Sequence, residues 1–308
     1  VAATELDRRG VAAAIGAYAI WGLFPAFWPL LAPAAPIEVL AHRITWTLAL
    51  MVLVITLTRG WSDLRALRPK GWAMVAAAGA LISVNWGLYI YAVFAGHVVE
   101  AALGYFMSPL VSVLLGVVVL HERLRRMQVV AVALGAVAVV VIAIEAGSLP
   151  WIGLSLAFSF GIYGLLKSMI PLSATAGVTA EALVLGPLAI AVVVAYEVSG
   201  AGTLTGHGAG HVLLLLAAGP VTAVPLLLYG LAARRVPLST IGVMMYLNPI
   251  LQFLWGVFVV GEAMPPTRWI GFVLVWIALV VFTVDLVRAG RANRRLRAPA
   301  PAATIPAA

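Results

Sequence analysis

A few ionisable and aromatic side chains interrupt long apolar stretches, and these are the residues able to do chemistry. Glu38, His42 and Arg43 lie near one end of the stretch 37–58. Glu38 and His42 are four apart and can pair on one helical face, which leaves Arg43 pointing elsewhere, with Trp46 and Thr47 on its side. A charge within a bilayer is costly enough to be read first as functional. Arg43 is therefore expected to anchor an anionic substrate group or to brace a cavity wall, with snorkelling to the headgroups as the alternative. Asn85, Trp86, Tyr89 and Tyr91 in 71–94, Tyr105 in 100–120, Tyr229 in 211–233, and Tyr246 and Asn248 in 237–260 add aromatic and hydrogen-bonding edges, joined by Tyr18, Trp21 and Tyr163. Aromatic rings with a polar tip suit a cavity for a small amphipathic molecule. Glu181 opposes Arg43 in charge, but each sits near its own side of a bilayer about 30 Å thick. It is read as favouring a helix N-terminus, with a role in proton coupling, alongside Glu38 and His42, as the alternative.

Catalysis has little support. His121 and Glu122 lead into Arg123, Leu124 and Arg125 rather than a second histidine, and neither a GxSxG elbow nor a Walker-type phosphate loop occurs. No catalytic residue, metal site or cofactor is expected, and His42 is read as the one histidine inside a span. The chain has no cysteine, which removes disulfides and thiolate ligands.

These side chains need elements to hold them. Of 308 residues 64% are hydrophobic and 10% charged, whereas a soluble domain carries roughly a quarter charged residues. Crossing the hydrocarbon takes about 20 apolar residues in a helix. Ten stretches qualify: 10–32, 37–58, 71–94, 100–120, 127–144, 149–167, 177–197, 211–233, 237–260 and 267–287. Their apolar runs are continuous rather than alternating, which excludes a barrel. The net charge of +8 is concentrated at alternate helix ends, so that all basic residues but Arg43 and Arg268 fall on one side. That pattern is topology rather than a nucleic-acid footprint, and it predicts both termini in the cytoplasm. Trp28, Trp61, Trp72, Trp151 and Trp269 are read as interfacial belt residues. Arg8 and Arg9 before an apolar run resemble a signal peptide, but the run is too long for one.

Residues 84–142 and 224–282 share a register: Tyr89 with Tyr229, Pro109 with Pro249, Gly116 with Gly256 and Glu122 with Glu262, all at one offset. Gly22 and Pro29 match Gly164 and Pro171 at a slightly longer offset, as a small indel would produce. Arg123, Arg125 and Arg126 follow Glu122, whereas Ala263 and two prolines follow Glu262; the loop after the third helix carries Gly96, His97 and Glu100, and its counterpart after the eighth holds Arg234 and Arg235. Equivalent loops have exchanged charge, as they must if five-helix units insert upside down relative to each other. The expected fold is an all-α membrane protein of ten transmembrane helices in two inverted five-helix repeats. Its parts are a cytoplasmic N-terminus (1–9), repeats over 10–147 and 148–287, and a basic disordered cytoplasmic tail (288–308). Pro109 and Pro249 each remove a helical hydrogen bond, so both helices are expected to kink or open beside a binding site, near Tyr105 and Met245.

Tyr18-x-x-Trp21-Gly22, His42-Arg43-x-x-Trp46, Glu100-Ala101-x-Leu103-Gly104-Tyr105-Phe106-x-x-Pro109-Leu110 and Glu122-Arg123-x-x-Arg126-Met127-Gln128 together resemble the RarD branch of the EamA-type transporters, in the drug/metabolite transporter superfamily. The similarity runs from about Gly10 to Arg288. It implies a central cavity built by helices one to four and six to nine, with helices five and ten peripheral. It also implies export of small metabolites, amino acids or drugs; the branch is named for a link to chloramphenicol sensitivity. The second copy has no match to Arg43 and Trp46 in helix seven, so the site should be asymmetric. A permease of the cytoplasmic membrane is the expected function, against a receptor or scaffold, or a channel. Its expected partners are a small-molecule substrate and the lipid bilayer, with a homodimer and proton coupling left open and no nucleic acid.

Overall fold

The computed structural model describes residues 7–121, 123–236 and 238–297. Glu122, the first six residues and the Ala/Pro-rich end of the tail lie outside them. Every regular element among the described residues is helical. The spans are α1 (Arg8–Gly22, continued as Phe24–Phe27 and Trp28–Leu31), α2 (Pro36–Leu57), α3 (Pro69–Phe94), α4 (Val98–Leu120) and α5 (Arg126–Ala146) in the first half. The second half holds α6 (Trp151–Met169), α7 (Ala174–Val198), α8 (Gly208–Ala233), α9 (Leu238–Met244, Leu247–Trp255 and Gly256–Val260) and α10 (Pro266–Arg297). Ten spans return the chain to the side on which α1 begins, here the terminal face. The final helix passes Arg288 and runs on to Arg297, so the basic segment begins as helix.

The two halves pack as mates. α1 lies on α8 and α9, just as α6 lies on α3 and α4; α2 lies on α7 and α8, just as α7 lies on α2 and α3; α4 meets α9 and α5 meets α10. Each principal contact has a counterpart with the halves exchanged, which is what two copies of one unit related by a pseudo-two-fold axis produce. The α5–α10 pair is peripheral: Ala138 and Ile142 pack on Phe272, Val275 and Leu279, while Val137, Val140, Val273 and Val280 are exposed. Large apolar residues left outside in this way form the face that meets lipid.

Small residues set the distances. A Cβ on Gly219 of α8 would stand 2.5 Å from the Trp46 carbonyl carbon of α2, and one on Gly79 of α3 would touch Leu185 of α7 at 3.4 Å. Gly22 of α1 meets Leu251 of α9, and Gly161 of α6 meets Val111 of α4. Val111 and Leu251 keep the register of Pro109 and Pro249, so the equivalent of Gly22 is Gly161. The expected match to Gly164, which has nothing within 4 Å of its Cβ position, is corrected; contact geometry rather than residue spelling fixes the register, and the offset of the first two helices is one residue shorter than that of the later ones, so a small indel remains.

The helix interruptions also differ from expectation. α4 runs through Pro109 without a break, whereas α9 opens at Met245 and Tyr246, one turn before Pro249. In register, Gly104 of α4 corresponds to Met244 of α9. Gly104 lets α4 cross α6 with its Cβ position 2.5 Å from the Gly153 carbonyl, and this crossing holds the proline turn helical. The first half is interrupted instead in α1, where a bend of 46° separates Gly22 from Phe24, just ahead of Pro25.

Gly104→Ala should lower the melting temperature of the detergent-solubilised protein, at a cost of about 1–3 kcal/mol for overpacking. Gly164→Ala, made into open space, should leave it unchanged. Equal melting of the two variants would contradict the close crossing.

Candidate functional site

The α1 bend turns Phe24 and Trp28 inward. Trp28 is fully buried, which corrects its assignment to the lipid interface: composition identifies a tryptophan near a helix end, but the bend decides what it faces. Arg43 of α2 projects into the space so formed. Its guanidinium carbon lies 3.9 Å from the Trp86 ring centroid, 5.0 Å from that of Trp28 and 5.2 Å from that of Phe24. Arg43 is 2% exposed, and its Nε and Nη1 have no hydrogen-bond partner among the described residues. Tyr89 stacks edge-on with Tyr105 at 5.6 Å and reaches Phe24 at 6.4 Å. The Tyr89 hydroxyl and Trp28 Nε1 are likewise buried without partners.

Asn85 fixes the wall behind this cage. Its amide nitrogen donates to the Leu156 carbonyl and to Ser159 Oγ, both at 3.0 Å, and its oxygen accepts from the Tyr105 hydroxyl at 3.1 Å. The bond set ties α3, α4 and α6 together and orients Tyr105. Of the sequence candidates, Arg43, Asn85, Tyr89 and Tyr105 therefore form one group.

Tyr229 and Asn248 belong to a second group. Tyr229 packs with Tyr18 and Trp21 at 6.2 and 6.1 Å. Asn248 accepts a 2.7 Å bond from Gln252, whose amide also reaches the Trp21 carbonyl at the α1 bend. Trp21 packs against the apolar clusters on both sides and so joins the two groups. Trp46 donates to His42 Nδ1 at 3.2 Å and lies against α8. Tyr246 departs from the expectation: it faces Thr283 of α10 and the peripheral core, away from Arg43; in register it matches Phe106, which meets Phe272 and Trp276 of α10 from an unbroken helix, so its place on the helix face and not the opening turns it outward.

The remaining ionisable groups are engaged elsewhere. Glu38 accepts from both the amide and hydroxyl of Thr203, at 2.6 and 2.9 Å, and lies 4.0 Å from His42. His211, at the start of α8, reaches the same hydroxyl at 2.8 Å, so His42 is not the only histidine within a span. Glu181 pairs with Lys167 at 2.6 Å and accepts from Tyr163 at 3.3 Å, on the terminal side. This is consistent with the depth argument that keeps it from Arg43.

The opposite face carries a set of ties that sequence alone did not indicate. Glu262, after α9, accepts from the Val98 and Val99 amides at the start of α4, at 2.5 and 3.1 Å. Glu100 of α4 accepts from the Ile152 and Gly153 amides at the start of α6. A helix N-terminus leaves its first amides unpaired and carries a partial positive charge, so a carboxylate satisfies both. Arg268 pairs with Glu145 beside them at 3.0 Å. A cleft of about 260 Å³, lined by His97, Glu100, Trp151, Glu262 and Arg268, opens among these groups and not at Arg43.

This architecture, with an aromatic cage midway through inverted helical repeats, defines a polytopic membrane protein of the transporter class. Residues 8–144 match the EamA-like transporter family. The chain is 51% identical to Protein RarD of Streptomyces exfoliatus, over 96% of this chain and 95% of that one. It is 40% identical to the Uncharacterized transporter YojE of Bacillus subtilis, over 93% and 97%. A solved structure described as "Crystal structure of protein" covers 91% of this chain and 98% of its own at a TM-score of 0.59 and 19% identity, a likeness of fold. The chain belongs to the EamA-type transporter family, in its RarD-like branch.

Burial raises the Glu262 carboxyl above its ordinary value, outweighing the two amides that favour the ionised form. The folded protein thus holds this proton more tightly than the unfolded chain does. Its stabilising contribution is complete below about pH 4.5 and is lost as pH rises through the folded value. Glu262→Gln, which stays neutral, should therefore gain melting temperature relative to the parent between about pH 4 and about pH 7. A gap that does not move with pH contradicts this.

Proposed function

We propose that this chain is a permease of the cytoplasmic membrane that exports a small amphipathic metabolite by alternating access, with both termini in the cytoplasm. The carrying observation is Arg43: a guanidinium sunk within a span, ringed by aromatic side chains, whose Nε and Nη1 find no acceptor among the described residues. A cation held this way is expensive unless a bound species completes it. Arg43, Trp46, Asn85, Tyr89, Tyr105, Tyr229 and Asn248 are the cavity residues of this reading.

The distribution of ties between the halves supports the alternation. On the face opposite the termini, Glu262, Glu100, Glu38 and Arg268 each bond across from one half to the other. On the terminal face the ties between halves among the described residues are Arg125 with Asp285, in the peripheral pair, and the exposed Asp7 with Arg235. Exposed pairs contribute little. On this reading the face opposite the termini is the one held shut, and export requires the carboxylate ties to release while the bends in α1 and α9 absorb the change. The basic terminal face supports the cytoplasmic orientation. Coupling to protons would fall to Glu38 and His42, since Glu181 already has Lys167.

Metabolite profiling of cells with and without the gene should reveal a solute retained in its absence. Arg43→Ala should fail to restore efflux while reaching the membrane in normal amount; restored efflux removes Arg43 from the mechanism. Single cysteines at Ala263 and Arg123, both exposed, should label from outside and inside respectively. Labelling from one compartment overturns the inverted arrangement.

A further inference from the structure

We propose that Arg43 recognises an organic monocarboxylate with a flat apolar body and no ammonium group. The proposal rests on the permease reading and narrows its substrate. The second half of the molecule shows the same corner in a completed form. With Gly22 equivalent to Gly161, Phe24 and Trp28 of α1 correspond to Tyr163 and Lys167 of α6. With Trp46 equivalent to Leu185, His42 and Arg43 of α2 correspond to Glu181 and Ala182 of α7. In the second half the cation, Lys167, lies 5.3 Å from the Tyr163 ring and is neutralised by Glu181 at 2.6 Å. In the first half the cation, Arg43, lies 5.2 Å from the Phe24 ring and no carboxylate faces it. The fold thus has an internally neutralised version of this corner and a version whose anion is missing.

The chemistry of these unpartnered donors is specific. Nε and Nη1 of Arg43 and Nε1 of Trp28 are donors without acceptor capacity, and the Tyr89 hydroxyl can donate. Their complement is a group with acceptors only. One cation without a second beside it fits a monoanion rather than a phosphate ester. An ammonium would meet the like charge of Arg43 and find few acceptors. Asn85 Oδ1 is taken by Tyr105, and Glu181 by Lys167 and Tyr163. Glu38 has one free oxygen, but it precedes Arg43 by five residues and so points roughly 140° away around the helix. The guanidinium sits close over the Trp86 ring, so a carboxylate bonded in its plane carries any conjugated body over the neighbouring aromatic surface. Trp86 is half-buried and is the ring that must turn to admit the ligand.

Calorimetry on the purified full-length protein in detergent, with 3-phenylpropanoate, its neutral amide and phenylalanine, tests this. The carboxylate should bind, and the amide and the amino acid should bind more weakly by about tenfold or more. Arg43→Gln should abolish the preference, and Arg43→Lys should weaken carboxylate binding about tenfold. Should Arg43→Gln fail to fold, Tyr89→Phe keeps the cation and should lower carboxylate affinity about threefold while leaving the amide unaffected. Equal affinity for phenylalanine or the amide, no binding of the carboxylate, or an Arg43→Gln protein of native size that keeps the preference overturns the proposal. Counterflow of 3-phenylpropanoate in proteoliposomes reads separately on transport: selective binding without counterflow sinks the permease reading and leaves the recognition standing.

Discussion

Lipid offers no hydrogen bonds, so an amide, carboxylate or guanidinium removed from water is costly unless another group of the protein answers it. Most of this structure follows from how that demand is met between the two halves. Glu262 and Glu100 each close the exposed amides of a helix belonging to the other half, and Glu38 does the same for the loop at Thr203. Carboxylate-to-amide bonds of this kind are charge-assisted and strong, yet they join elements that no covalent connection holds together. One face of the molecule is thereby shut by bonds that can be exchanged for water when it opens.

The duplication explains why such a scheme is available. A unit with an odd number of spans, inserted twice, places the same helix pairs on both sides of an axis in the membrane plane. Contacts such as Gly219 with Trp46 and Gly79 with Leu185 are then one contact made twice. Once both copies share one chain, either can change alone. Gly104 in one copy and Met244 in the other accompany a proline-bearing helix that stays continuous and one that opens.

Much of this was legible in the sequence. Long uncharged stretches specify spans because a bilayer accepts little else, and scarce residues such as Tyr89 and Tyr229 expose the repeat. Arg43 stood out because charge within a span is rare. The Trp28 position was not legible, since a tryptophan near a helix end serves equally as an interface anchor or a cage wall until the bend at Leu23 is known. The partners of Glu38, Glu100 and Glu262 are backbone amides far along the chain, and an amide leaves no mark in residue types. Pro109 misled for a related reason: a proline states that one hydrogen bond is missing, whereas the neighbouring crossing at Gly153 decides whether the helix yields.

The asymmetry of the site has a physical origin in the same duplication. A pair of identical corners, each with a buried ion pair, would satisfy every charge and leave nothing for a solute to complete. Keeping Lys167 with Glu181 in one corner preserves a rigid joint between α6 and α7. Moving the cation to α2 in the other corner, where Arg43 stands in register with Ala182 and His42 with Glu181, leaves a buried charge that no carboxylate among the described residues meets. An unmet charge alone would favour hydration and an open path. Surrounding it with Phe24, Trp28 and Trp86 stabilises the empty guanidinium enough to exclude water, because aromatic faces attract a cation without supplying hydrogen-bond acceptors. The cage therefore holds the cation without occupying its hydrogen-bond donors.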